Sequence, residues 1–412
     1  MNPAGKKPHR AFVVLIALMM IQAGVMGVLY NCCGIVFTAI IDDLGFGAGD
    51  LSVYYMIRSF ATAIFVGLTT KLYFGRHTRL VMGLLGVLYV GAFASMSLFS
   101  ELWQWYIAAA IGGIGMSCTL VVIPATLNNW FKIKNGLMIG LTMSSSGVMG
   151  AVFSPLCSAL IESFGWRSTV LIMAGIGVVL IILPCIFIAS TPESCGLRPY
   201  GEDSSASNEA CSATGSSADE ASSQTSMAAS PLIYVLSLVA LVGTSSLIQF
   251  NAQLPVYAQS IGYTLSAGAM LTSCSMVGNL IGKLGLGALS DRIGIYKAGA
   301  LFLLAVGAGM LGLLFGQGSL MILYVSSLLY GIVYCANTTM PSLLYLDIYG
   351  KQGSQGRVSS MQAIYNAIAA VLSAGFPYIY DWTGTFNGVI AFGAIISFMA
   401  VAILMWLRSR RA

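Results

Sequence analysis

The sequence predicts an all-α membrane protein with twelve transmembrane helices in two six-helix halves, and three observations predict it. The 412 residues are 57% hydrophobic and only 8% charged, whereas soluble domains run near ~25% charged. So few charges cannot clothe a soluble protein of this length, but they suit one whose surface meets lipid. Twelve stretches reach the ~20 mostly apolar residues a helix needs to cross a bilayer. A long polar break separates the first six from the last six.

The stretches fall at about 12–40, 50–74, 79–99, 103–131, 136–161, 167–189, 231–259, 264–289, 297–316, 319–346, 356–380 and 386–407. Several exceed the minimum, which implies tilt or extension beyond the hydrocarbon. The start of the chain, MNPAGKKPHR, is basic, and the apolar run behind it continues far past Val25. No small-residue cleavage site is convincing there, so the reading is a retained first span rather than a signal peptide. Pro124, Pro155, Pro184, Pro255, Pro341 and Pro377 lie within spans and predict local breaks in the helix ladder. The 47 glycines suit close approach of membrane helices.

Between spans six and seven the chain turns polar, as in GEDSSASNEACSATGSSADEASSQTS, with almost no large apolar side chains. Such a segment cannot bury a core, so a disordered cytoplasmic linker is expected. The expected organisation is an N-terminal half over 1–189, a linker over 190–230 and a C-terminal half over 231–412.

Orientation follows from Lys and Arg in the short loops. One side carries Lys6, Lys7, Arg10, Arg76, Arg79, Lys132, Lys134, Arg292, Lys297, Lys351, Arg357, Arg408, Arg410 and Arg411. The other carries only Arg167, among Asp42, Asp43, Asp50, Glu101, Glu162 and Asp381. This predicts a multi-pass protein of the plasma membrane with both termini in the cytoplasm.

Composition also excludes several classes. The net charge of +5 is scattered over loops, with no basic stripe for nucleic acid. Nine cysteines occur, mostly in apolar stretches, with no CxxC pair and only two histidines, so no structural metal is expected. The Cys32–Cys33 pair reads as packing. There is no nucleophile elbow, phosphate loop or intramembrane carboxylate pair. Neither an enzyme nor a resident cofactor is expected, nor an ATP-driven pump.

Two cations stand at membrane depth without a carboxylate beside them in sequence. Arg58 lies near the middle of the second stretch and Lys283 within the eighth, while every Asp and Glu falls in a loop or at a helix end. A charge at such depth costs ~2.5–3.5 kcal/mol on insertion scales and persists mainly where it faces a cavity and meets a counter-charge. The missing counter-charge is therefore expected to arrive with an anionic cargo. Other readings stand beside this one. Lys283 is about six residues from the end of its span, ~9 Å at ~1.5 Å per residue, and lysine can snorkel that far. Arg58 could be satisfied by helix carbonyls or by Gln22 or Asn31. Lys71, one turn from a loop, reads as interfacial.

Asn279 lies one turn from Lys283 on the same face and could add a donor to a bound carboxylate. Tyr30 and Asn31 in span one, Gln249, Asn251 and Gln253 in span seven, Tyr334 and Asn337 in span ten, and Gln362, Tyr365 and Asn366 in span eleven are polar at depth. Each is either interhelical glue or a cargo contact. As a set they predict a hydrated central cavity between the halves, where secondary transporters place their sites.

These residues carry a resemblance. The six-plus-six pattern with a central loop resembles the major facilitator superfamily. GALSDRIGIYK, 287–297, is similar to that family's cytoplasmic loop signature, and Gly287, Asp291, Arg292 and Gly294 match a gate motif that latches neighbouring helices. The first-half counterpart, TTKLYFGRHTR, has Phe74 where the Asp would stand. A narrower resemblance is to the oxalate/formate antiporter and monocarboxylate transporter group. It rests on NNWFKIKNGLMIG (128–140, with Asn135 for the usual Arg), LYLDIYG (344–350), GVLYNC (27–32) and FGWR (164–167). The resemblance implies that Lys283 occupies the place of an Arg that holds the substrate carboxylate. Lys keeps the charge and loses the bidentate fork. A span-eleven cation found in oxalate transporters is absent, since Tyr365 or Asn366 stands there.

The expected function is a monomeric secondary transporter of a small organic anion, a mono- or dicarboxylate. It works by alternating access, with exchange or proton symport both open. The alternatives are export of a drug-like or neutral metabolite, and a transport-dead sensor acting through the linker.

Overall fold

The computed structural model describes residues 10–73, 78–131, 135–193, 196–200 and 231–410. Among the described residues, eleven helices are long and apolar enough to cross a membrane. Spans one to four are Arg10–Leu44, Ala48–Tyr73, Thr78–Leu98 and Leu102–Trp130. The next helix, Leu137–Ile186, is 50 residues long and holds spans five and six, because the chain turns at Gly165. There φ is 76°, a conformation glycine adopts without a Cβ penalty. Spans seven to twelve are Pro231–Ser260, Leu265–Ile293, Ile295–Phe315, Leu320–Asn337, Ser360–Thr383 and Asn387–Ser409. Twelve passes result, as the sequence predicts. They put Arg10 and Arg410 at one end of the bundle, the terminal end; the other is the distal end.

Burial falls into two clusters. One runs from Ala11 to Ala189 through residues such as Leu18, Trp105 and Met173, and takes in Ala269 from the second half, as the other takes in Ala48 from the first. The other runs from Ile233 to Leu407 through Leu271, Tyr330 and Ile390. Outside them large apolar side chains are exposed all around the bundle, Ile64, Leu80, Leu171, Met321 and Ile395 among them. A water-soluble monomer rarely shows so much apolar surface, and lipid is the solvent that suits it.

The stretch after span six is pinned to the first half. Trp130 Nε1 donates to the carbonyl of Ala189 at 2.8 Å, and the Tyr200 N–H donates to the carbonyl of Trp130 at 2.8 Å. The Tyr200 ring packs edge-on against Phe12 at 5.2 Å. An aromatic at position 200 found a partner that the polar composition around it did not announce. Residues 201–230 lie outside the described residues, as do Phe74, Lys6, Lys7, Arg76, Lys132, Lys134 and Arg411 of the loop readings.

The halves are joined from mid-depth to the distal end. The Asp381 carboxylate accepts the N–H groups of Ala48 at 3.2 Å and Gly49 at 2.7 Å. The Tyr378 hydroxyl donates to Asp50 at 2.8 Å, and Gln259 Nε2 donates to Asp42 at 3.0 Å. Ser273 donates to the carbonyl of Ala151 at 2.5 Å, nearer mid-depth. Glycines allow this closeness. A Cβ on Gly49 would overlap the Tyr378 ring, and one on Gly147 would sit 3.2 Å from the Met276 carbonyl. Gly140, two turns nearer the terminal end of span five, meets nothing within 4 Å.

Candidate functional site

Besides span six, which is π-helical over Val178–Ile182, three spans leave α-helical geometry, and these three meet at the centre. Span one is a π-helix over Ala23–Tyr30. Span seven tightens to a 3₁₀ helix over Leu247–Gln253. Pro255 explains the latter, because its nitrogen cannot donate to the carbonyl of Asn251, and the Leu254 N–H takes that carbonyl instead. Span ten stops at Gly331, turns, and restarts as the short helix Tyr334–Asn337. Pro341 likewise leaves the carbonyl of Asn337 without its helical donor. Irregular backbone at membrane depth is tolerated where it is buried in protein or lines a cavity, and π-helical turns recur at functional sites.

These segments converge on one cavity. Tyr30 and Asn31 line it from span one, Tyr55 from span two, Gln249 and Asn251 from span seven, and Tyr334 from span ten. The cavity is narrow: water centres have about 10 Å³ to occupy, the room of one molecule. Anything larger enters only if side chains move. Polar bonds tie its rim. Gln249 Nε2 donates to the Tyr365 hydroxyl at 3.3 Å, and Ser275 donates to Asn251 at 2.7 Å. Asn31 Nδ2 reaches the Ser146 carbonyl at 3.4 Å and, across the halves, the Met276 sulfur at 3.2 Å.

Both expected cations flank this cavity one aromatic ring back from it. Arg58 is 2% exposed. Its guanidinium carbon lies 4.2 Å from the centre of the Tyr30 ring, 5.0 Å from Tyr55 and 5.1 Å from Tyr54. The partners are therefore tyrosines, through ring faces and through a hydrogen bond with the Tyr54 hydroxyl, not the Gln22 or Asn31 amides considered from sequence. Lys283 is half-buried, and its ammonium lies 5.8 Å from the centre of the Tyr334 ring. Among the described residues, no carboxylate stands beside either cation. Lys71 is exposed near the terminal end.

The remaining expected residues divide. Tyr30, Asn31, Gln249 and Tyr334 share the cavity, and Tyr365 joins them through Gln249. Asn279 instead sits at the crossing of spans five and eight, against Gly147, with its Oδ1 buried and unbonded. Asn337 is half-buried with an unbonded Oδ1, Gln362 is half-buried, and Asn366 is exposed. In the loop motif, Asp291 and Arg292 are exposed, and a Cβ on Gly287 would meet nothing within 4 Å. Gly294 ends span eight at φ 81°. Among the described residues, neither Asp291 nor Arg292 makes an ion pair.

Sequence reasoning missed Tyr54, Tyr55 and Ser373. The first two stand four and three positions before Arg58, a spacing that puts all three on one helical face. That signal was available. Ser373, which lines the cavity from span eleven, carried none.

Comparison with known proteins follows the same lines. A family model described as Major Facilitator Superfamily matches residues 14–374. Monocarboxylate transporter 13 of Rattus norvegicus is 23% identical over 346 residues, covering 82% of this chain and 74% of that protein. Monocarboxylate transporter 12-B of Danio rerio is 24% identical over 305 residues, covering 68% of this chain and 63% of that protein. The crystal structure of the nucleoside transporter NupG superposes with a TM-score of 0.66 at 12% identity, covering 96% of this chain and 99% of that one. At that identity the likeness concerns the fold.

Proposed function

The chain belongs to the Major Facilitator Superfamily, whose members are transporters rather than enzymes, and on that premise we propose that it is a secondary transporter of a small carboxylate. The halves rock about the central cavity, the termini lie in the cytoplasm, and the protein works as a monomer in the plasma membrane. The cargo exchanges with a second anion or travels with a proton. Lys283 attracts the carboxylate, while Tyr334, Gln249 and Asn31 orient it.

One observation carries this reading: the Lys283 ammonium stands beside a tyrosine of the central cavity with no carboxylate among the described residues to neutralise it. An uncompensated cation at depth is costly, and a cargo carboxylate is the partner that removes the cost. Similarity to two monocarboxylate transporters supports the same class.

A second reading is export of a drug-like or neutral metabolite. It rests on the lining itself, where Asn31, Gln249, Asn251 and Ser373 are neutral donors and acceptors. Thermal unfolding of the purified full chain against a panel of probes separates the two. Ligand at about a hundred times its Kd stabilises a folded state by ~2.7 kcal/mol. The carboxylate reading expects acetate, butyrate, oxalate or succinate to raise the midpoint, with uncharged amide analogues inert. Stabilisation by the amides alone overturns it.

A further inference from the structure

Two buried donors on the first half's side of the central cavity are incompletely bonded. Arg58 is 2% exposed with Nη2 unbonded, and Tyr55 is 3% exposed with its hydroxyl unbonded. Native structures keep few such groups, because a buried donor without an acceptor is destabilising. The Tyr54 hydroxyl accepts one hydrogen bond from the guanidinium, but the tyrosine rings do not answer the deficit at Nη2. They contact the guanidinium through ring faces, whereas its hydrogen-bonding capacity lies in the N–H groups at its edge. The polar neighbour of the Tyr55 hydroxyl within the protein is the Cys33 thiol, and sulfur is a weak acceptor.

Position gives these donors a use. Tyr55 lines the cavity, and Arg58 lies 5.0 Å behind the centre of its ring. The second half mirrors the arrangement: Tyr334 lines the same cavity, and Lys283 lies 5.8 Å from its ring centre. Each half thus presents a tyrosine backed by a cation that has no carboxylate among the described residues. One monoanion leaves one of the two charges uncompensated. A cargo with a carboxylate at each end compensates both.

We propose that Tyr55 and Arg58 form a second anionic subsite, so that the preferred cargo is a short dicarboxylate held between the two halves. The Tyr55 hydroxyl donates to one carboxylate while Arg58 balances its charge from behind the ring. Lys283 meets the other carboxylate. This rests on the carboxylate reading above and narrows it. A ligand that grips both halves also makes different contacts in each state of the rocking motion, which is what allows cargo to bias that motion.

Succinate and butyrate test it, having equal carbon counts and two carboxylates against one. Apparent affinities come from thermal unfolding of the full chain over graded concentrations of each probe. The variants are Tyr55→Phe, Arg58→Lys and Arg58→Gln. Wild type is expected to bind succinate more tightly than butyrate. Tyr55→Phe and Arg58→Gln should each weaken succinate about tenfold more than butyrate, one factor of ten in Kd, and Arg58→Lys should retain more than Arg58→Gln. Tyr55→Phe keeps the ring, so it tests the subsite even if the arginine variants do not fold. The subsite is overturned if a folded Tyr55→Phe protein weakens both probes equally or neither. Wild type that binds butyrate without preferring succinate removes the subsite alone. Wild type that binds neither of these, nor acetate or oxalate, removes the carboxylate reading with it.

Discussion

The Asp381 carboxylate takes the backbone N–H of Gly49 at 2.7 Å, and this bond ties the end of span eleven to the first turn of span two. The Ala48 N–H joins it at 3.2 Å. A helix N-terminus has free N–H groups and the positive end of its dipole, so a carboxylate suits it. The bond crosses between halves that must separate if the distal end is to open.

Asp381→Asn should loosen that end. The amide oxygen still accepts, but without charge. Asp381 is exposed, so the lost interaction is discounted for solvent to about 1 kcal/mol, roughly a fivefold shift in the equilibrium. Ser52, 3% exposed beneath the clamp, reports on it. A Ser52→Cys protein without its other cysteines should react about fivefold faster with an impermeant maleimide once Asp381 is changed. Equal rates would remove Asp381 from the clamp.

Gly49→Ala should act in the same direction by a different route. Its Cβ would overlap the Tyr378 ring, and overpacking typically costs ~1–3 kcal/mol. The midpoint of thermal unfolding should fall, and Ser52→Cys labelling should quicken. Adding Tyr378→Ser makes room and should restore the midpoint, a coupling that a double-mutant cycle reads directly. Simple additivity of the two changes would place the clash elsewhere.

Much of this architecture was legible in the residues. Twelve spans follow from hydrophobic runs alone, since a bilayer of fixed thickness demands them. Arg58 and Lys283 were legible because a cation in an apolar run is costly wherever it lies. Their surroundings were less so. That Arg58 is faced by Tyr30, Tyr54 and Tyr55 depends partly on local spacing and partly on how spans one and two cross, and only the first is written in sequence. Asn279 shows how packing adds what spacing does not. One turn from Lys283 it shares a helical face, yet the packing of Gly147 on span eight places it in a helix crossing. The π-helical turn of span one has no proline to announce it, and the pinning of Tyr200 rests on Phe12, far away in the chain.

The crossing of spans eight and ten should be intolerant of bulk. Gly331 lies against the Ser275 carbonyl, and Gly278 against that of Leu328, each closer than a Cβ would allow. This crossing holds Tyr334 next to Lys283. Gly331→Val should destabilise by at least ~1–3 kcal/mol, seen as lower yield and an earlier unfolding midpoint. Gly140→Ala, with nothing within 4 Å, should stay within ~1 kcal/mol of wild type and on the stabilising side. Equal effects at the two positions would show that the close approach does not limit packing.

The central claim is that Lys283 awaits a carboxylate, and uptake of a labelled carboxylate into proteoliposomes tests it most directly. Lys283→Gln should cut the initial rate at least tenfold, about 1.4 kcal/mol of lost interaction, with the unfolding midpoint of the unliganded protein kept, while Lys283→Arg retains part of the rate. Wild-type uptake by a folded Lys283→Gln protein would contradict the account.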